Sequence, residues 1–164
     1  MVFYLTGVGS MPRYPGMSNA ILSTVDHYLG GIWGAGFENN IEAALHFLGM
    51  NYRPGDELYI FGFSRGAATA RGLSQFLAWS GGLPKPEDNY YLPLLFHEFI
   101  HTRGAGSAAD WVADYNRQLA LASPPRKPIA PFMPAPIHYL GVWDTVMALG
   151  SRFRANEGTS TAEP

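Results

Sequence analysis

The apolar positions of the chain fall into short unbroken runs punctuated by glycine and proline. The first run, Val2-Phe3-Tyr4-Leu5-Thr6-Gly7-Val8-Gly9, shows no polar alternation and ends on glycines. That pattern predicts a strand buried on both faces. Leu58-Tyr59-Ile60-Phe61-Gly62-Phe63 and Ile137-His138-Tyr139-Leu140-Gly141-Val142 read the same way, as a second and third strand. Between them the spacing changes. Ile41, Leu45 and Leu48 recur at i, i+4 and i+7 within 38–50, and Ala67, Ala70, Leu73, Phe76 and Leu77 make one stripe along 67–79. Both segments predict helices. Glu38 and Glu42 complement the positive end of the first of them. A shorter helix is expected near 18–29. Gly30–Gly36 is expected to be a flexible loop, and Gly34-Ala35-Gly36 lacks the third glycine and the lysine of a phosphate loop. Pro54-Gly55-Asp56 predicts a turn, and Gly81-Gly82-Leu83-Pro84 ends the 67–79 helix.

Residues 85–135 have a different texture. Two helices are predicted, at 93–101 and 107–121, joined through Gly104 and Gly106. In the second, Trp111, Tyr115 and Leu119 sit at i, i+4 and i+8. A run containing Pro124, Pro125, Pro128, Pro131, Pro134 and Pro136 follows. The segment reads as a helical insertion over a sheet. The order β-α-β-α-insertion-β predicts an α/β domain, a mostly parallel sheet with helices on its faces, over residues 1–150. The polar tail, 151–164, is expected to be disordered.

Composition narrows the class. A length of 164 residues suits one core. Charged residues are 15%, below the ~25% of an average globular protein, and hydrophobic residues are 47%, which excludes a wholly disordered chain. A net charge of −2 leaves no electrostatic footprint for nucleic acid. The absence of cysteine excludes disulfides, thiolate metal sites and a cysteine nucleophile. No apolar run reaches the ~18 residues of a membrane span, and the first residues lack the basic region of a signal peptide, so the chain is expected to be cytoplasmic as made.

The chemistry centres on Gly62-Phe63-Ser64-Arg65-Gly66, a G-x-S-x-G pattern between a predicted strand and a predicted helix. A sharp turn there lifts the serine off the sheet as a nucleophile. Glycines are expected on both sides because a Cβ would clash, and the Arg65 N–H points where an oxyanion would form. The alternative is a tight β–α turn with a surface serine. Asp144 follows the third strand at its C-terminal end, the edge where ligands sit in open α/β sheets. It can orient an imidazole there, or serve as a helix N-cap beside Thr145.

Gly55-Asp56-Glu57-Leu58-Tyr59-Ile60-Phe61-Gly62-Phe63-Ser64-Arg65-Gly66-Ala67, with Ala70-Arg71, resembles the signature of the type VI secretion lipase effector family. Tyr4 with Gly7-Val8-Gly9-Ser10 is similar to that family's Y…GVGT strand end. Leu140-Gly141-Val142-Trp143-Asp144-Thr145-Val146 is similar to its LGVWDTV acid motif. The resemblance covers about residues 3–150. It implies an α/β-hydrolase fold, a serine esterase of phospholipase type with Ser64 as nucleophile and Asp144 as triad acid, and no cofactor. It also implies a phospholipid or other ester substrate, contact with a membrane surface, and delivery outside the cell with a secretion-system partner.

Against that pattern, no histidine follows Asp144, although the order Ser, acid, His is expected. His27, His46, His97, His101 and His138 all precede it, and His138 lies ~20 Å back along the same strand. The family's DGT-like opening strand has no counterpart upstream. The chain therefore reads as a hydrolase core incomplete at both ends, with the histidine expected outside it. The alternative is an inactive truncated product that keeps the fold. A competing motif, His97-Glu98-Phe99-Ile100-His101, matches H-E-x-x-H and offers two zinc ligands on one helix face. Its third ligand would fall at Ser107, a poor one. The other reading is an amphipathic helix with Leu95, Phe96, Phe99 and Ile100 inward and His97, Glu98 and His101 in solvent.

Overall fold

The computed structural model describes residues 1–5, 32–102 and 104–145, with the side chains of the first helix described from Phe37 onward. The expected helix at 18–29, the strand end at 6–9 and the tail at 151–164 lie outside the described residues.

In chain order the elements are α1 (Ile32–Asn51), β1 (Leu58–Phe63), α2 (Arg65–Ser80), a 3-10 helix (Pro86–Tyr91), α3 (Leu92–Thr102), α4 (Ala108–Leu121) and β2 (Ile137–Trp143). Among the described residues this is a mixed helix and strand arrangement around a two-stranded parallel sheet. The register pairs Ile60 with Leu140, Gly62 with Val142 and Phe63 with Trp143, after an irregularity between Leu58 and Tyr59.

Two expectations are corrected. Residues 1–5 form no strand, and Val2 and Tyr4 are exposed. Phe3 instead stacks on Phe47 of α1 with ring centroids 4.4 Å apart, so this apolar run is used for ring packing against a helix. Gly34-Ala35-Gly36 is not a loop, because α1 begins at Ile32 and runs through it. Glycine costs a helix about 1 kcal/mol per position, which the packing of the apolar stripe further along offsets.

That stripe is the predicted one. Ile41 and Leu45 are fully buried and Leu48 is half-buried. Gly72 on α2 permits the close approach of α1, since a Cβ there would lie 2.6 Å from Ile41 Cδ1. The Arg53–Asp56 turn has Pro54 and Gly55 at its centre, with Gly55 at φ 98, as a type II turn requires. Gly81 closes α2 in the left-handed conformation at φ 70, and its N–H donates to Leu77 O.

The inserted segment completes the core. Phe76 of α2 meets Phe96 and Phe99 of α3 edge-on at 5.9 and 5.5 Å. Leu92, Leu95, Phe96, Phe99 and Ile100 are buried, so α3 presents its apolar face to α2 and not to solvent. The proline-rich run has few backbone partners of its own and is held by side chains. Asn116 accepts from Ile129 N at 2.7 Å and donates to Ile129 O at 3.1 Å. Buried Asp88 accepts from Ala130 N, and Tyr52 donates to Pro134 O. Leu83 and Met133 form a short antiparallel bridge.

Strand burial departs from the sequence reading. The apolar runs predict burial on both faces, yet β1 alternates. Leu58 is buried and Ile60 half-buried toward α2, while Tyr59, Phe61 and Phe63 are exposed. Across the ladder Tyr139 and Trp143 are exposed too. The sheet therefore carries one face of aromatic side chains that no described element covers.

Candidate active site

β1 ends at Phe63 and α2 starts at Arg65, so the reversal from strand to helix falls on Ser64 alone. Ser64 adopts φ 53 and ψ −120, a region that L-residues avoid and that costs of order 1–3 kcal/mol. A serine preceding a helix normally accepts from the first-turn N–H groups through its hydroxyl. Here the hydroxyl makes no capping bond, and the Ser64 carbonyl accepts from Ala67 and Ala68 instead. Ser64 Oγ is therefore not used to cap the helix it precedes.

Gly62 is demanded by that turn. A Cβ on it would stand 2.4 Å from Gly66 O and 2.6 Å from Ala67 Cα, both backbone atoms. Gly66 is not demanded in the same way, because a Cβ there meets nothing within 4 Å. The expectation that both glycines avoid a clash holds for the first and not for the second. Arg65 is the first residue of α2, where the early N–H groups lack helical acceptors and the dipole is positive.

The parallel register brings Asp144 beside this turn. Phe63 pairs with Trp143, and Ser64 N donates to Trp143 O at 2.9 Å. Ser64 and Asp144 thus leave the same edge of the sheet from adjacent strands. Asp144 lies at φ 48, and among the described residues these two are the non-glycine residues with positive φ. Asp144 is exposed. The helix it would cap under the alternative reading lies outside the described residues.

Arg71, part of the family-like signature, is given no role by the sequence reading. Arg71 Nε, on α2, donates to Thr145 Oγ1 at 3.3 Å and ties the helix to the residue after Asp144. Its position seven residues after Ser64 would place it two helical turns along the same face, a signal legible only once the register of β2 is known.

The histidines sit elsewhere. His138 lies at the other end of β2, with Nδ1 3.9 Å from Glu57 Oε1. His46 is exposed on α1. His27 is outside the described residues. His97 and His101 are exposed on α3 and hydrogen-bond to each other, Nε2 to Nε2, at 2.8 Å. Among the described residues no histidine is hydrogen-bonded to Asp144. Ser107, the position of a third zinc ligand, instead caps α4, accepting from Asp110 N and donating to Asp110 Oδ2. Among the described residues no three His, Cys, Asp or Glu side chains cluster as a metal site. No helix among them is long and apolar enough to cross a membrane.

The family described as "T6SS, Phospholipase effector Tle1-like, catalytic domain" has a model that matches residues 1–161. The chain is also similar to an uncharacterized protein of Saccharomyces cerevisiae, YEL023C, at 34% identity over 86 residues. That alignment covers 51% of this chain and 13% of the yeast protein, so the chain spans a small part of its relative's length. No solved structure matches the chain.

Proposed function

The chain belongs to the Tle1-like catalytic-domain family of type VI secretion phospholipase effectors, and on that premise we propose that it carries the nucleophile and acid of a serine esterase acting on phospholipid. The observation that carries this reading is the backbone of Ser64: positive φ, a strand before, a helix after, and a hydroxyl unused as a cap. A surface serine in an ordinary turn has no need of a strained conformation, whereas a nucleophile held off the sheet does.

In this reading Ser64 Oγ attacks the ester carbonyl carbon. Charge develops on the carbonyl oxygen, where the Arg65 N–H and the N-terminal end of α2 stabilise it. The serine proton must pass to an imidazole, which then returns it to the departing alcohol oxygen; without that base the hydroxyl remains a poor nucleophile. Asp144, one ladder step from Ser64, would hold that imidazole in the right tautomer and stabilise its cation. Among the described residues His138, His97 and His101 have other partners, so none of these three is the base in this reading. The fold in which this would operate is of α/β-hydrolase type, with β1 and α2 flanking the nucleophile and β2 leading to the acid, over the 1–150 domain. The setting is a lipid surface reached through a secretion apparatus.

A fluorophosphonate probe tests the assignment. In a form of the enzyme that includes the histidine, labelling is expected on Ser64, lost in Ser64→Ala, and greatly slowed in Asp144→Asn. Labelling that persists in Ser64→Ala would remove Ser64 from the chemistry.

A further inference from the structure

His97 and His101 stand one helical turn apart on the exposed side of α3, their ring centroids 4.1 Å apart and their Nε2 atoms 2.8 Å apart. We propose that this pair is a bidentate surface site for a divalent transition cation that prefers tetragonal geometry, Cu2+ or Ni2+. Three observations lead there. First, two imidazole nitrogens each ~2.0–2.1 Å from a metal and at right angles to one another lie roughly 2.9 Å apart, close to the separation already present. The stability order, Cu2+ above Ni2+ and Zn2+, favours the tetragonal ions at such a site.

Second, the contact between the rings is a hydrogen bond in which one Nε2 donates and the other accepts. Replacing that proton by a metal lets both nitrogens act as ligands with only ring rotation, which exposed side chains make freely. Third, the pair occupies the C-terminal half of α3, His101 in its last turn, where the negative end of the helix dipole favours a cation. The rest of the coordination sphere is open to water. Ser107 stays with Asp110, so the site is a two-ligand chelate and not the three-ligand centre of a zinc protease. Cation binding here requires nothing of Ser64 or Asp144.

Calorimetric titration of the untagged chain with CuCl2, NiCl2 and ZnCl2 tests this. One site is expected, with Cu2+ bound more tightly than Ni2+ and Zn2+. His97→Ala and His101→Ala should each weaken it by about tenfold or more, because the second imidazole acts at high effective concentration. His46→Ala should leave it unchanged. Electron paramagnetic resonance of the Cu2+ form should show two nitrogen ligands in wild type and one in either variant. Both rings lie outside the core, and unchanged circular dichroism of the metal-free variants will establish that they fold. Equal affinity in wild type and in the His97→Ala/His101→Ala double variant, or equal weakening by His46→Ala, would overturn the proposal.

Discussion

At the scale of single residues, the reversal between β1 and α2 rests on two positions that resist substitution for different reasons. Ser64 stores backbone strain, whereas Gly62 supplies empty space. Gly62→Ala should destabilise the fold by about 1–3 kcal/mol, because rigid backbone of the following helix cannot yield to the added methyl. Gly66→Ala should be neutral or stabilise by up to about 1 kcal/mol, since it fills open space and favours helix. Urea unfolding of the two variants will read the contrast. The G-x-S-x-G pattern marks both glycines alike, and only the positions of their neighbours separate them. Tyr91 offers a second residue-scale test. Its phenol is pushed up to about 12 from 10.0, first by burial and then by the hydrogen bond and charge of Tyr90, with Tyr115 and Asp88 adding charge. The unfolded chain loses this proton at the lower pH, so the folded state binds more protons between about 10 and about 12 and loses stability as pH rises through that range. A melting-temperature series against pH should fall there, and Tyr91→Phe should flatten the fall.

At the scale of elements, periodicity located what is locally encoded. The predicted helices at 38–50, 67–79, 93–101 and 107–121 all form around their apolar stripes, and Gly81, Gly104 and the Ser107 cap mark ends of the last three. The start of α1 was not legible, since glycine and tryptophan around 30–36 resemble a loop in sequence and only packing further along carries the helix back to Ile32. The proline-rich run was equally opaque. Its shape depends on long-range side-chain bonds, of which the Asn116 clamp on Ile129 is the fullest. Asn116→Ala leaves a partly buried N–H and C=O without that partner and should cost about 1–3 kcal/mol in urea unfolding. Asn116→Asp keeps the acceptor for Ile129 N and should cost less.

At the scale of the whole molecule, the apolar runs of β1 and β2 promise burial on both faces, but the described elements cover only the face toward α2, and there Leu140 of β2 stays exposed. Tyr59, Phe61, Phe63, Tyr139 and Trp143 form the other face, with Phe61 stacked on Trp143 at 6.2 Å and closing over Gly141. Runs of this kind reveal that a strand is made for two neighbours without revealing where the second one is. The isolated chain should therefore bind the dye ANS strongly. Phe61→Ser should reduce that fluorescence, and a wild-type signal no higher than that of a well-packed control protein would contradict an open aromatic face. The residue pair proposed for catalysis was legible from its motifs, and its juxtaposition follows from a parallel register that no local signal encodes.

That register also has a kinetic meaning. β1 and β2 pair across roughly 80 intervening residues, a loop whose closure must precede any reward from the ladder. The helices between them draw on contacts closer in sequence and can collapse earlier. The bond from Ser64 N to Trp143 O extends this long-range pairing past the end of β1. The meeting of serine and aspartate is then among the latest events of folding, and a newly made chain would be compact for some time before its proposed nucleophile and acid stood side by side.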